Sequence, residues 1–175
     1  MDEITVTPEL SLVKATPAHA SALYRLILRN KTSFAEHLHW PRYIHAQADV
    51  ERFLAGCAAD HQQDLSKTYV LQRQGEPCGV LSFNTIDKAN ETAYLGYWLD
   101  VDAQGSGLLS QAVNALVATY AERAILRRFV IKAAVRNERS NRLALRCGFQ
   151  HEGVLRQAER IGDEYLDQNI YGLIV

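Results

Sequence analysis

The chain has 175 residues, 47% of them apolar and 22% charged, and a formal net charge of −1. This is the balance of a globular chain that can bury its own core; it gives no general pull toward nucleic acid or anionic lipid, and no apolar run approaches the roughly 20 residues of a spanning helix. Three cysteines without a C-x-x-C pair suggest neither a disulfide framework nor a zinc site, and the six histidines show no H-E-x-x-H pattern, so no metal is expected.

The opening MDEITVTPELSLVKA is acidic and has neither the basic nor the apolar region of a secretory signal, so a cytoplasmic protein of one domain, residues 1–175, is expected. Leu10 to Lys14 reads as a strand. Ala20, Leu23, Leu26 and Ile27 then recur at helical spacing, with Thr16 as the capping residue. The stretch Ser33 to Tyr43 is aromatic and broken by Pro41, and a second helical pattern runs through Val50, Phe53, Leu54 and Cys57. KTYVLQRQ, CGVLSFNTID and TAYLGYWLD follow, rich in Val, Tyr, Phe and Leu and separated by short turn-formers; they predict an antiparallel meander.

After Asp100 the pattern changes to DAQGSG and then to a helix whose stripe is Leu108, Leu109, Val113, Leu116, Val117 and Tyr120. A strand at RRFVIKAAV, a short helix in ERSNRLALRCG closed by Gly148, and two strands around VLRQAE and YLDQNIYGLIV complete the chain. Strands first, then strand, glycine turn, helix and strand, imply an α+β fold with a mixed central sheet, a crossover and flanking helices.

Gln104, Gly105, Ser106 and Gly107 stand where a strand ends and a helix begins, so backbone N–H groups freed at the helix start can converge on an anion. A plain turn is the competing reading. A Rossmann fingerprint would need a glycine at Ser110, and a P-loop would need Gly-Lys-Ser/Thr; both are missing.

Three strings occur in order: Y-L-G-Y-W-L-D, then Q-G-S-G, then V-R-N-x-x-S-N-x-x-A-x-x-x-G-F. They resemble motifs A and B of the GNAT superfamily of N-acetyltransferases. Together with R-R-F-V-I-K, E-G, Q-A-E and the W-P pair at Trp40, they resemble its RimL-like ribosomal-protein N-terminal acetyltransferases over nearly the whole chain. Leu109 departs from the glycine or alanine usual there.

That resemblance implies a GNAT fold that takes acetyl-CoA as cosubstrate and transfers acetyl directly, through a tetrahedral intermediate, to an amine. It implies that the loop Gln104, Gly105, Ser106, Gly107 and Leu108 binds the CoA pyrophosphate. The strand carrying Tyr97, Trp98 and Leu99 would hold the pantetheine arm and the thioester oxygen, with core packing as the competing role of those side chains. Asn137 would contact the pantetheine arm, Ser140 would protonate the leaving thiolate, and Glu159 would act as general base. Trp40 would stand on the acceptor side, where the amine enters between Ser33–Tyr43 and the hairpin around Gly162.

Plainer roles compete: Asn137 or Ser140 as a helix cap, Glu159 as an exposed hairpin carboxylate, Glu152 and Asp167 as structural carboxylates, and Cys147 as a packed thiol. The implied acceptor is a protein N-terminus, from a ribosomal protein. An α-amino group suits modest base catalysis because its ordinary pKa of about 7.7–8.0 lies well below the lysine value of about 10.4. A polyamine, amino acid or antibiotic acceptor is the second reading, and a non-catalytic acyl-CoA-binding module the third. Neither the acceptor nor the oligomeric state, homodimer included, is written in the sequence.

Overall fold

The computed structural model describes residues 1–175. Eight strands form a sheet: β1 (Glu3–Thr7), β2 (Leu10–Lys14), β3 (Lys67–Arg73), β4 (Glu76–Asp87), β5 (Thr92–Leu99), β6 (Arg128–Ala134), β7 (Gln150–Ile161) and β8 (Glu164–Ile174). Their order is β1-β2-β3-β4-β5-β6-β8-β7, and β5 with β6 is the parallel pair among antiparallel neighbours. Parallel neighbours need a crossover, and α3 (Leu108–Glu122) supplies it. The other helices are α1 (Ala20–Ala35), α2 (Gln47–Gln63) and α4 (Glu138–Arg146).

Strand periodicity divides the core in two. Tyr69, Leu71, Leu81, Phe83, Leu95 and Leu99 face α3 and α4, whereas Val70, Val80 and Trp98 face α1 and α2. On the first face Phe83 is wholly buried, edge-on to Tyr120 at 4.9 Å and beside Phe129 at 5.7 Å. The Tyr69 and Tyr120 hydroxyls bond at 2.8 Å, which ties α3 to β3 without leaving either oxygen unpaired.

One local reading changes, and one strand joins those read from the sequence. Thr16 does not cap α1 directly; it opens a 3₁₀ turn at Pro17–His19, and its N–H donates to His19 Nδ1 at 3.1 Å. Pro17 explains the tighter turn, since a proline fits the first position, where no N–H partner is needed. Glu3–Thr7 is the added strand: too short and too polar to stand out, it forms because β2 offers it an antiparallel partner.

Candidate active site

β5 and β6 stay together from Thr92↔Arg128 to Leu95↔Ile131 and then part, so Gly96 to Leu99 keep β4 as their one strand partner. The Asp100 N–H donates to the Cys78 carbonyl at 2.8 Å and the Gly96 carbonyl accepts from the Ser82 hydroxyl at 3.1 Å, so even-numbered residues direct their polar backbone toward β4. Alternation then turns the N–H groups of Tyr97 and Leu99 into the gap. Trp98 does not share that role. Its indole packs on the other face against Phe34 at 5.3 Å and Trp40 at 6.1 Å.

At the end of β5 the buried Asp100 carboxylate accepts from Asn30 Nδ2 at 2.8 Å and pairs with Arg29; Asn30 Oδ1 accepts the Val101 N–H at 3.0 Å. This clasp on α1 anchors the start of the loop. A 3₁₀ turn at Val101–Ala103 follows, then Gly105 at φ 83° and Gly107 at φ 78°, the latter capping α3. An added Cβ would meet nothing within 4 Å at Gly105 and only Gln111 Nε2, at 3.8 Å, at Gly107. The left-handed backbone, rather than crowding within the chain, is what demands glycine here.

The N–H groups of Gly105 through Ser110 have no acceptor in the chain, whereas that of Gln111 already bonds the Gly107 carbonyl. Six free donors in a row at a helix start form an anion cradle that suits a diphosphate. Side chains of the loop are otherwise engaged: Gln104 Nε2 donates to the Leu99 carbonyl at 3.0 Å while its Oε1 accepts from Arg139, and Ser106 Oγ donates to the Ala103 carbonyl at 3.1 Å. Leu108 packs against the core. A ligand would therefore meet the backbone of Ser106 and Leu108, while Gln104, whose N–H already donates to the Val101 carbonyl at 3.2 Å, supports the loop from behind. Arg139, which brings a cation to this loop, was not among the expected residues; its place beside Gln104 depends on tertiary contact and leaves no motif.

α4 lies against the gap from the same face as α3. Asn137 caps it, with Oδ1 accepting the Ser140 N–H at 3.3 Å, and both residues also line the cleft below the gap. Ser140 Oγ lies 2.7 Å from the Tyr97 hydroxyl, whose pKa burial holds well above the usual tyrosine range although the bond to Ser140 pulls it down. Tyr97 therefore stays protonated and can return a proton to Ser140. Asn141 fixes the helix, donating to the carbonyls of Ala134 and Asn137 at 3.0 and 2.7 Å and accepting from Asn169 and Tyr171 at 2.8 and 2.7 Å.

The cleft, about 370 Å³, opens on the opposite face, over Tyr94, Val130, Lys132 and Ala134, with Leu38 and Asn84 at its side and Glu159 and Gln168 across from them. Glu159 is half-buried, and its Oε2 accepts from Gln168 Nε2 at 3.0 Å. β7 and β8 lose register between Leu155 and Glu159; Gln157 there adopts φ 48°, and its N–H donates to Asp167 Oδ1 at 2.8 Å. The bulge re-aims Glu159, a device that single-strand periodicity does not reveal. Asp167 thus serves the bulge. Glu152 pairs with Arg128, which holds its carboxyl below the usual range.

Trp40 is not among the cleft residues; it packs on Phe34 and Trp98, and Leu38 is what its segment offers to the cleft. The Arg42 guanidinium lies 3.4 Å from where a Cβ on Gly162 would be, so this segment and the β7–β8 turn do stand side by side. Cys147 is buried, which pushes its thiol up, and its Sγ approaches the Ser110 carbonyl at 3.8 Å. It is a packed thiol rather than a nucleophile.

The acetyltransferase (GNAT) domain family matches residues 9–150. The ribosomal-protein-serine acetyltransferase of Escherichia coli strain K12 is 42% identical over 174 residues, 99% of this chain and 97% of its own. The solved structure of RimL, a ribosomal L7/L12 alpha-N-protein acetyltransferase in complex with coenzyme A, superposes with a TM-score of 0.97 at 42% identity, covering 99% of this chain and 98% of that one. The microcin C7 self-immunity acetyltransferase MccE, in complex with acetyl-CoA and AMP, gives a TM-score of 0.95 at 39% identity over 97% of this chain and 94% of its own. With the parted strands, the glycine cradle and these likenesses together, the chain belongs to the GNAT family of acetyltransferases.

Proposed function

We propose that this enzyme moves an acetyl group from acetyl-CoA to the α-amino group of a protein N-terminus, a ribosomal protein serine being the acceptor its relatives suggest. One observation carries the reading: the gap between β5 and β6 has the paired Tyr97 and Ser140 hydroxyls on one face and the Glu159 carboxylate, held by Gln168, on the other.

The residues at hand fit the donor. The Gly105–Ser110 N–H groups would take the diphosphate, and the inward N–H groups of Tyr97 and Leu99 would hold the pantetheine arm and the thioester oxygen, where preorganised donors do most for acyl transfer. Asn137, with Nδ2 uncommitted in the chain, would steady the arm. Ser140, backed by the Tyr97 hydroxyl, protonates the departing sulfur, and Glu159, oriented by Gln168, draws the proton from the incoming amine, directly or through water. With Cys147 buried, no thiol is placed to carry the acetyl group, so transfer is direct.

A small-molecule acceptor is the second reading, favoured by the likeness to the microcin immunity enzyme bound to AMP. Incubation with acetyl-CoA and separate acceptors (serine-terminated peptides, an aminoacyl nucleotide analogue, a polyamine), read as kcat/KM, decides between them. The peptide should lead; an aminoacyl nucleotide ahead of every peptide would install the second reading instead.

A further inference from the structure

Lys132 lies on β6 one residue past Ile131, where β5 turns away, and so borders the gap. Val130, Lys132 and Ala134 share the cleft face, and Ala134 pairs with Gln168, the residue that holds Glu159. Lys132 and the Glu159 anchor are therefore two residues along and one strand across, about 8 Å at some 3.3 Å per residue and about 4.8 Å between strands. The Lys132 ammonium is 5.0 Å above the Tyr94 ring and has no carboxylate partner.

Two other cations on this side are paired: Arg136 with Glu164 at 2.7 Å and Arg160 with Asp163 at 3.3 Å. Arg42, beside the Gly162 turn, is a second cation without a carboxylate partner. The acceptor thus meets one carboxylate where its amine must lose a proton, and an unneutralised ammonium a few ångströms farther along the floor.

We propose that Lys132 is a specificity-determining residue that selects acceptors carrying a carboxylate close to the amine and rejects those with a second cation. This rests on the peptide-acceptor reading and extends it to a substrate class: protein N-termini with an acidic residue within the first few positions. An amine seated at Glu159 places the next part of its chain over Lys132, where a carboxylate is attracted and a second ammonium, as in a polyamine or a lysine-rich terminus, is repelled. Because the cleft is open, the discrimination is that of a partly solvated pair and weakens with salt.

The test uses three otherwise identical serine-terminated peptides with Asp, Asn or Lys as third residue, acetylated at low ionic strength by the wild type and by Lys132→Met, Lys132→Glu and Lys132→Arg. The readout is the ratio of kcat/KM between the Asp and Lys peptides, which a general loss of activity does not move. About tenfold in favour of Asp is expected for the wild type, the sum of one attraction and one repulsion of surface strength. The ratio should fall toward one in Lys132→Met, invert in Lys132→Glu, return in Lys132→Arg and shrink with added salt. An unchanged ratio in Lys132→Met and Lys132→Glu, or no preference in the wild type, overturns the assignment while turnover of the Asn peptide keeps the peptide reading intact. If the wild type acetylates spermidine and leaves all three peptides untouched, both fall together.

Discussion

In the proposed reaction Ser140 and Glu159 stand at opposite ends of the bond exchange, so their loss should be felt differently. General acid or base assistance is worth about 10²–10⁴-fold, and both Ser140→Ala and Glu159→Gln are expected to lower kcat by at least tens-fold with affinity for CoA nearly intact. Only Glu159→Gln should make kcat/KM climb more steeply with pH, because the amine, of ordinary pKa about 7.7–8.0, must then arrive already neutral. Tyr97→Phe removes the hydroxyl 2.7 Å from Ser140 and should reproduce part of the Ser140→Ala loss. Steady-state kinetics across pH, with calorimetric CoA titration of each variant, checks all three. Wild-type kcat in Glu159→Gln would remove that residue from the mechanism.

At the scale of elements, the glycine turn and the parted strands build the site together, one supplying N–H groups at the start of α3 and the other in the gap. Gly107→Ala must hold φ near 78°, a conformation that costs an L-residue roughly 1–2 kcal/mol, and it tilts the free donors of the cradle. The KM for acetyl-CoA should rise several-fold while that for the amine stays close to wild type; an equal rise in both would mean that the turn shapes the whole cleft instead. The glycine turn was legible in the sequence because two glycines before a helical stripe leave a local mark. So was the meander from Lys67 to Leu99, whose alternation survives in both core faces. The parting of β5 from β6 was not, since it is a property of a pairing between strands more than 30 residues apart. For the same reason Arg139, Gln168 and the Asn30–Asp100 clasp escaped a reading by local pattern, and Trp40, conspicuous as an aromatic before proline, proved to pack against Trp98.

Across the whole molecule the sheet sets α3 and α4 on one face and the cleft, with α1 and α2, on the other, the two sides that the proposed reaction gives to donor and acceptor. Its stability has a pH signature remote from the site. His61 is buried at the end of α2, edge-on to Tyr69 at 5.8 Å, with neither ring nitrogen bonded; burial, reinforced by the nearby Lys67, lowers its pKa to about 4. Unfolded, the ring takes a proton near pH 6.5, so the unfolded state binds more protons between about 6.5 and 4, and stability must fall as pH falls through that window. The loss is on the order of 2–3 kcal/mol, and denaturant unfolding of His61→Leu should show a flatter dependence there than the wild type. Equal slopes would mean that the folded imidazole is already solvated.

The central claim, transfer to an α-amine across the gap in the sheet, is tested most directly by locating the acetyl group on a product. A peptide with a free serine N-terminus and one internal lysine is incubated with acetyl-CoA and the enzyme, and fragment mass spectrometry places the added group. Acetylation confined to the serine α-amine, and lost in Glu159→Gln under the same conditions, is the expected result. Acetyl on the lysine side chain, or transfer undiminished in the variant, would contradict it.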